Sequence, residues 1–451
     1  MHNSSFSTLT STILVFSAWL SYQGKVYDVS NWADHPGGSV IFTHAGDDCT
    51  DVFAAFHPVS AFKSMEVFEI GELDESVIPS ALYANKFKPE KQKEFERAYR
   101  TLRAKIFAAG LFTASPLFYV YKVLSTLAIL AASVFFAVIS DNFFVNMFGA
   151  VLLGLFWQQS GWLAHDFLHH QVFKTRAYGD MMGVFLGDLC QGFSVQWWKS
   201  KHNAHHAVPN LHASCAGASD GDPDIDTMPI LAWSLKMAES ARDCATGRRF
   251  IAWQAYLYFP ALLFARLAWA HQSWVFVFGG YGQHSVKGAA QDQKNMQYPT
   301  AEKIALVLHY LGLLAIMYHM PLVNALAYFF VGQTSCGLFL ATVFGLGHNG
   351  MAVYPANQRP DFWKLQVSTT RNITGGAFVD WFCGGLNYQV DHHLFPMLPR
   401  HNLGKVNALV KSFCKEQGVT YHEADLFSGN VEVLQHLSKV SADFIKEFPA
   451  M

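Results

Sequence analysis

Apolar residues along the chain gather into four long runs that form two pairs. A short break separates the two runs of each pair. Asp141 and Asn142 form the first break, and Pro321 forms the second. Each run approaches the roughly 20 residues that a helix needs to cross the core of a bilayer. The pattern therefore predicts two membrane-spanning helical hairpins. The runs cover about 118–139, 143–164, 303–320 and 322–346.

A fifth apolar stretch, residues 250–279, has a different character. It is rich in Trp and Tyr and is interrupted by Pro260, Arg266 and His271, which favours an aromatic helix at the membrane interface over a fifth span. Topology supports this interpretation. The loops after the second and fourth runs both carry histidine clusters, and only an even number of spans between them places these loops on one face.

The polar segments predict four parts. The first part contains KVYDV, whose alternation is typical of a short strand, and NKFKPEKQKEFERAYRTLRAK in the second part is dense in charge and predicts a helical linker in water. The long apolar runs fall in the third part, and the fourth is a polar, amphipathic tail without a recognisable motif. The predicted boundaries are 1–80, 81–115, 116–410 and 411–451.

Composition supports a membrane protein. Hydrophobic residues make up 51% of the 451 residues and charged residues only 15%, against about 25% charged in a typical soluble domain. The net charge of −2 gives no reason to expect nucleic-acid binding. The seven cysteines form no CxxC pair, which argues against a disulfide scaffold or a zinc ribbon and fits a reducing compartment.

The N-terminal part carries a candidate haem site. The sequence DHPGG places His35 before a glycine turn, and His57 follows 22 residues later. Neutral imidazoles are strong axial ligands of haem iron, and a bis-histidine site suits electron transfer. HPGG, the preceding KVYDV strand and the second histidine at this distance resemble the cytochrome b5 family over residues 22–80.

That resemblance implies a small α+β domain that holds b-type haem between His35 and His57. The first 20 residues depart from it. Cytochrome b5 domains carry a further helix and strand and a charged stretch before GKVYDV, whereas this chain has an apolar segment rich in Ser and Thr. The start of the domain is therefore expected to be atypical.

Three further histidine-rich segments, HDFLHH, HNAHH and QVDHH, supply histidines at helical spacing, and we call them the first, second and third histidine boxes. Residues at i and i+3 or i+4 share one face of a helix, so each cluster offers a metal at least two side chains. About eight converging imidazoles exceed the three ligands of a catalytic zinc site. With a haem electron donor on the same chain, two redox-active irons that use O2 are the natural conclusion. The candidate ligands are His165, His169, His170, His202, His205, His206, His392 and His393.

With these clusters, the chain resembles the front-end fatty acyl desaturases over nearly its whole length. The resemblance implies an all-α membrane body of about four transmembrane helices with a cytosolic di-iron cap. It also implies a further iron ligand, His348, at the end of the fourth run. Gln389 stands where many membrane desaturases have histidine, and it is expected to bind one iron weakly, act through a water or place the substrate. Asp166 and Asp391 are candidates for orienting imidazoles.

The implied activity is insertion of a cis double bond between an existing double bond and the carboxyl end of a polyunsaturated acyl chain. LAHDFLHHQVF and LNYQVDHHLFPMLPRHNL are among the segments that most resemble the Δ6 subgroup, which acts on C18 chains such as linoleate and α-linolenate. The substrate would be an acyl-CoA or a phospholipid acyl chain. Electrons would come from NADH–cytochrome b5 reductase, with the protein in the endoplasmic reticulum and both metal sites facing the cytosol.

Three alternatives remain open at this point. A Δ5 or Δ8 desaturase, including one that acts on sphingolipids, would carry the same clusters. A cytochrome b5-fused hydroxylase would begin with the same hydrogen abstraction. A membrane-anchored electron carrier without activity would have eroded histidine clusters, and these are intact.

Overall fold

The computed structural model contains a small N-terminal domain, a helical body and a C-terminal helical pair. The predicted N-terminal segment up to residue 16 and most of the first half of the linker lie outside the described residues. Those described are 17–32, 34–74, 89–214, 220–279 and 289–449.

The small domain is built on a three-stranded antiparallel sheet in the order β1-β2-β3. Trp19 pairs with Asp28, so the end of the atypical N-terminal segment forms the first strand. The hairpin turn uses Gln23 and Gly24, both with positive φ, as a two-residue turn between twisted strands requires. The strands are β1 (Trp19–Tyr22), β2 (Lys25–Asp28) and β3 (Glu69–Glu72).

Short helices complete this domain between β2 and β3. They enclose a core in which Leu20, Tyr27, Val29 and Met65 are buried. The result is the small α+β fold that the sequence predicts. The helices are a 3-10 segment at Gly38–His44, α1 (Thr50–Phe56), and 3-10 segments at Val59–Ser64 and Glu66–Phe68.

The membrane body confirms the predicted hairpins, since four helices among the described residues are long and apolar enough to span a bilayer. Asn142 caps the second of them by accepting hydrogen bonds from the backbone N–H groups of Phe144 and Val145. A Cβ on Gly154 would lie 2.9 Å from the backbone N of Cys336, so glycine allows the second and fourth spans to pack closely. The spans are α3 (Pro116–Val138), α4 (Phe143–Leu168), α11 (Pro299–Tyr318) and α12 (Leu322–His348).

Shorter helices connect these spans. The stretch predicted to lie at the interface forms α8 and α9, which meet at an angle of 74° just after Pro260. Taken together, the two helices are long and apolar enough for a broken span or a re-entrant loop, so the interfacial assignment stays a prediction. The helices are α2 (Pro89–Ala108), α5 (Arg176–Gly183), a π-helix (Val184–Gln191), α6 (Val195–Ala207), α7 (Leu235–Glu239), α8 (Ala245–Leu262), α9 (Ala265–Phe278) and α10 (Ala289–Lys294).

The C-terminal part packs against the body. Val433, Leu437 and Phe444 are fully buried on the last helix, and the predicted boundary at residue 410 falls inside a continuous helix. The parallel pairing of β4 with β5 ties this part to the chain before the third histidine cluster. Its elements and those before it are α13 (Phe362–Ser368), β4 (Asn372–Thr374), α14 (Ala377–Phe382), α15 (Gln389–Leu394), α16 (Arg400–Glu416), β5 (Glu423–Asp425) and α17 (Leu426–Glu447).

Candidate metal centres

Five of the predicted histidines form a buried group, cluster 1, at the end of the helical body. Three elements supply them: the last turns of α4, helix α6 and helix α15. Their candidate ligand nitrogens all lie within 4.8 Å of one another. The His202 and His206 Nε2 atoms, for example, are 3.0 Å apart. The members are His165, His169, His202, His206 and His392.

Cluster 2 lies directly beside cluster 1 and consists of His205, His348 and His393. The rings of His206 and His393 stack with centroids 4.1 Å apart, which joins the two groups. His348, predicted only from the resemblance, contributes its Nε2 3.2 Å from that of His205. The Gln389 amide lies 2.8 Å from His348 Nε2, so the third box presents its glutamine to cluster 2.

The Nδ1 atoms of cluster 2 are each held by an oxygen. His205 donates to Asp222 at 2.9 Å, His348 to the Thr369 carbonyl at 3.1 Å, and His393 to the Gln366 side chain at 2.8 Å. Such bonds fix the tautomer and leave Nε2 free to bind a metal. Sequence reasoning missed all three partners. The acidic GDPDID segment after the second box was the one available signal.

Electrostatics keep cluster 1 neutral. Burial lowers the pKa of His169 to about 3, and the neighbouring histidines add to the effect. Burial and mutual repulsion also hold the pKa values of His202, His206 and His392 well below the usual range. Imidazoles bind metals in their deprotonated, neutral form. These buried, uncharged rings are therefore suited to bind metal cations. The donor set, all imidazole with one amide, fits two transition-metal ions.

His170 does not join either cluster. Helix α4 ends at Leu168, and His170 has φ of +55°, so the chain reverses there and its ring follows a different direction from that of His169. The ring instead lines the cavity of the small domain. The predicted role of His170 as an iron ligand therefore has no geometric support among the described residues.

The carboxylates inside the boxes mainly anchor helices, and Asp166 Oδ1 also lies 3.5 Å from His165 Nδ1. Asp166 accepts from the Tyr119 hydroxyl at 3.0 Å and from the Arg400 guanidinium. Asp391 accepts from Asn372 at 2.7 Å and from Asn407 at 2.9 Å. Both link the histidine-bearing helices to neighbouring segments.

The small domain contains a cavity lined by His35 and His57. Their ring centroids are 6.0 Å apart. Metal–imidazole bonds are about 2 Å long, so two facing rings on one ion have centroids roughly 6 Å apart. His35 Nδ1 donates to the Gly38 carbonyl at 3.1 Å and His57 Nδ1 to the Phe53 carbonyl at 3.2 Å. The Nε2 atom of each ring therefore carries a free lone pair that could bind a haem iron.

The small domain is docked over cluster 1. Asn203 on α6 donates to the Gly37 carbonyl at 3.3 Å, and Asp292 accepts from the Ser39 backbone N–H at 2.8 Å. The Phe56 ring lies 6.0 Å from the ring of His206. The haem cavity and the histidine clusters are therefore neighbours, as electron transfer between them requires.

Comparisons with known proteins agree with this architecture. A family model for fatty acid desaturases matches residues 142–425, and one for the cytochrome b5-like haem/steroid-binding domain matches residues 10–74. The chain is 39% identical to an acyl-lipid (9-3)-desaturase of Physcomitrium patens, over 94% of this chain and 75% of the relative. It is 35% identical to a Delta(8)-fatty-acid desaturase of Euglena gracilis, over 96% and 97%. It is 34% identical to the Delta(6)-fatty-acid desaturase fat-3 of Caenorhabditis elegans, over 90% and 92%.

Fold, clusters and comparisons together define an integral membrane oxidoreductase that uses O2 and carries a di-iron histidine site and a haem-binding domain. The chain belongs to the fatty acid desaturase family. It is a cytochrome b5-fused front-end desaturase of fatty acyl chains. The hydroxylase and the inactive carrier considered above are set aside.

The Asp222 carboxylate offers a test of how cluster 2 is oriented. We expect Asp222→Asn to lower activity or iron affinity roughly 10- to 100-fold, because loss of an orienting partner typically costs that much. Iron per protein and product formation measure the effect. Asp226→Asn, an exposed acid in the same loop, is the matched control. Equal iron content and activity in all three proteins would contradict the orienting role.

Proposed function

We propose that this desaturase acts at Δ6 of C18 polyunsaturated acyl chains, with linoleate and α-linolenate as substrates. The support is the similarity of its box segments to the Δ6 subgroup, and the names of two relatives, a (9-3)- and a Delta(6)-desaturase. A Δ8 or Δ5 enzyme is the competing proposal, because relatives with those names are 35% and 32% identical.

We assign the iron ligands from the two clusters, and this convergence is the observation that carries the assignment. Cluster 1 would hold one iron, and cluster 2, with Gln389, the other. Two irons bound there would supply the O2 activation that removes one hydrogen from each of two adjacent methylene carbons. The balance is one saturated –CH2–CH2– unit, O2, two electrons and two protons giving –CH=CH– and two waters.

Gln389 is suited to complete cluster 2 without adding charge. Its side chain reaches His348 Nε2 at 2.8 Å, so its amide carbonyl, in the alternative orientation of the amide, could face the same metal. An amide oxygen is a weaker ligand than imidazole. A metal at cluster 2 would therefore be held by three imidazoles and one weaker amide ligand, whereas cluster 1 would offer its metal five imidazoles.

The haem domain would pass electrons singly to the clusters, with His35 and His57 as axial ligands. Fusion keeps the donor at an effective concentration of order mM. We propose NADH–cytochrome b5 reductase as the electron source, and the endoplasmic reticulum as the membrane. With four spans, the small domain and both clusters share one face, which we assign to the cytosol. Residues 1–80, 81–115, 116–410 and 411–451 remain our proposed divisions by composition, and the last of them begins inside α16.

Expression in yeast tests the regioselectivity. Fed linoleate or α-linolenate, cells should accumulate a product with a new bond at carbon 6, located by gas chromatography–mass spectrometry of dimethyloxazoline derivatives. A new bond at carbon 5 or 8 would keep the class of enzyme and overturn the Δ6 assignment.

A further inference from the structure

The haem cavity is walled by two parts of the chain. One wall comes from the small domain and is mostly apolar, with Leu20, Val52 and Met65 among its residues. The other wall is formed by residues of the desaturase body, on α4, α5, α6 and the segment after α4. The cavity therefore exists in this form only when the two parts are docked.

Charge is distributed unequally between these two walls. The body contributes Arg176 and Lys199, together with the His170 ring, and no carboxylate appears among the described residues that line the cavity. Lys199 is buried and pairs with Asp180, while Arg176 donates to the Phe56 carbonyl at 2.9 Å. An ammonium has three donors and a guanidinium five, so both cations keep N–H groups for a ligand. His170 Nδ1 is a buried atom without a hydrogen-bond partner within the described chain.

Haem has a matching polarity, with an apolar macrocycle and two propionate carboxylates on one edge. We propose that the desaturase body completes the haem site, and that Arg176, Lys199 and His170 receive the haem propionates. This rests on the assignment of His35 and His57 as axial ligands. Guanidinium and ammonium groups form strong, charge-assisted hydrogen bonds with carboxylates. His170 thus belongs to the haem site, although its sequence position is in the first iron box.

This arrangement gives two consequences that a simple tether between the parts would lack. Haem retention depends on the body as well as on the small domain, so haem binding and docking stabilise each other. Cations beside the propionates also favour the reduced, less positive iron, so they raise the reduction potential of the haem.

The test measures haem dissociation from the full-length protein and its reduction potential. Arg176→Gln should release haem on the order of tenfold faster to an acceptor apoprotein and should lower the potential. Arg103→Gln is the matched control, because Arg103 also joins the two parts, donating to the Ala54 carbonyl at 2.7 Å, but does not line the cavity. Lys199→Gln should resemble Arg176→Gln.

Reconstitution with haem dimethyl ester, which lacks the propionate charges, separates recognition of the propionates from a general loosening of the haem cavity. The ester should dissociate faster than haem from the unmodified protein, and esterification should add little further loss in the Arg176→Gln, Lys199→Gln double variant. Equal effects of the Arg176 and Arg103 variants, or an undiminished ester effect in the double variant, would overturn the proposal. The Arg176 and Lys199 variants should keep the bis-histidine absorption spectrum, because they leave the axial ligands intact. His35→Ala should lose that spectrum, which tests the assignment of the axial ligands separately.

Discussion

His392→Ala should abolish desaturation and remove iron from the protein while leaving the haem in place. His392 is 1% exposed and belongs to cluster 1, with its Nε2 3.1 Å from that of His206. Loss of an orienting partner alone costs roughly 10- to 100-fold in affinity or activity, so loss of a ligand should exceed about 100-fold. Product from linoleate-fed yeast, iron per protein and the haem absorption of the purified variant give the three readouts.

The control for this result is His401→Ala. His401 is a half-buried histidine on α16, outside both clusters, and its ring packs on Phe118 at 4.9 Å. It should retain iron, haem and most of the activity. Normal iron content in His392→Ala would argue that cluster 1 is not a metal site, and loss of haem as well would indicate a folding defect.

The sequence allowed the main architecture to be predicted because its signals are local. Each span is a single apolar run, and each box places its histidines on one or two turns of helix. Asn142 and Pro321, recognised as breaks, lie at the N-caps of α4 and α12. Hydropathy and helical periodicity therefore determine the elements and the face that each cluster presents.

Contacts between distant segments could not be predicted in this way. Thr369 and Gln366 orient cluster 2 from α13 and its end, and nothing in their local sequence marks them as partners of His348 and His393. His170 shows the same limit. Its position beside His169 predicted shared ligation, but the backbone takes a positive φ at His170, and among the described residues His169 joins cluster 1 whereas His170 only borders the haem cavity.

Docking of the small domain also depends on contacts that no sequence motif predicts. The Arg100 side chain on α2 binds the Asp51 carboxylate at 2.8 Å, and Arg359 donates to the Thr43 carbonyl at 2.7 Å. Each pair joins residues separated by 49 or more positions. Together with the Asn203 and Asp292 contacts, these bonds hold the haem cavity against cluster 1, so the linker contributes orientation as well as proximity.

The docked arrangement leads to the second large effect, in His57→Ala. This variant should lose haem and fall to background activity while keeping its iron, because we propose His57 Nε2 as one of the two haem ligands and His57 belongs to neither cluster. Added soluble cytochrome b5 should not restore the rate, since direct protein contacts such as that of Asn203 with the Gly37 carbonyl do not involve haem and keep the weakened, haem-free domain over α6. A free donor at micromolar concentration would in any case lack the roughly 10²- to 10⁴-fold advantage of a linked one.

Haem absorption, iron content and product formation, each with and without added cytochrome b5, measure these expectations. Full activity in a haem-free variant would show that electrons reach the irons by another route. Rescue by added cytochrome b5 would instead show that the small domain leaves this face often enough for a second donor to bind.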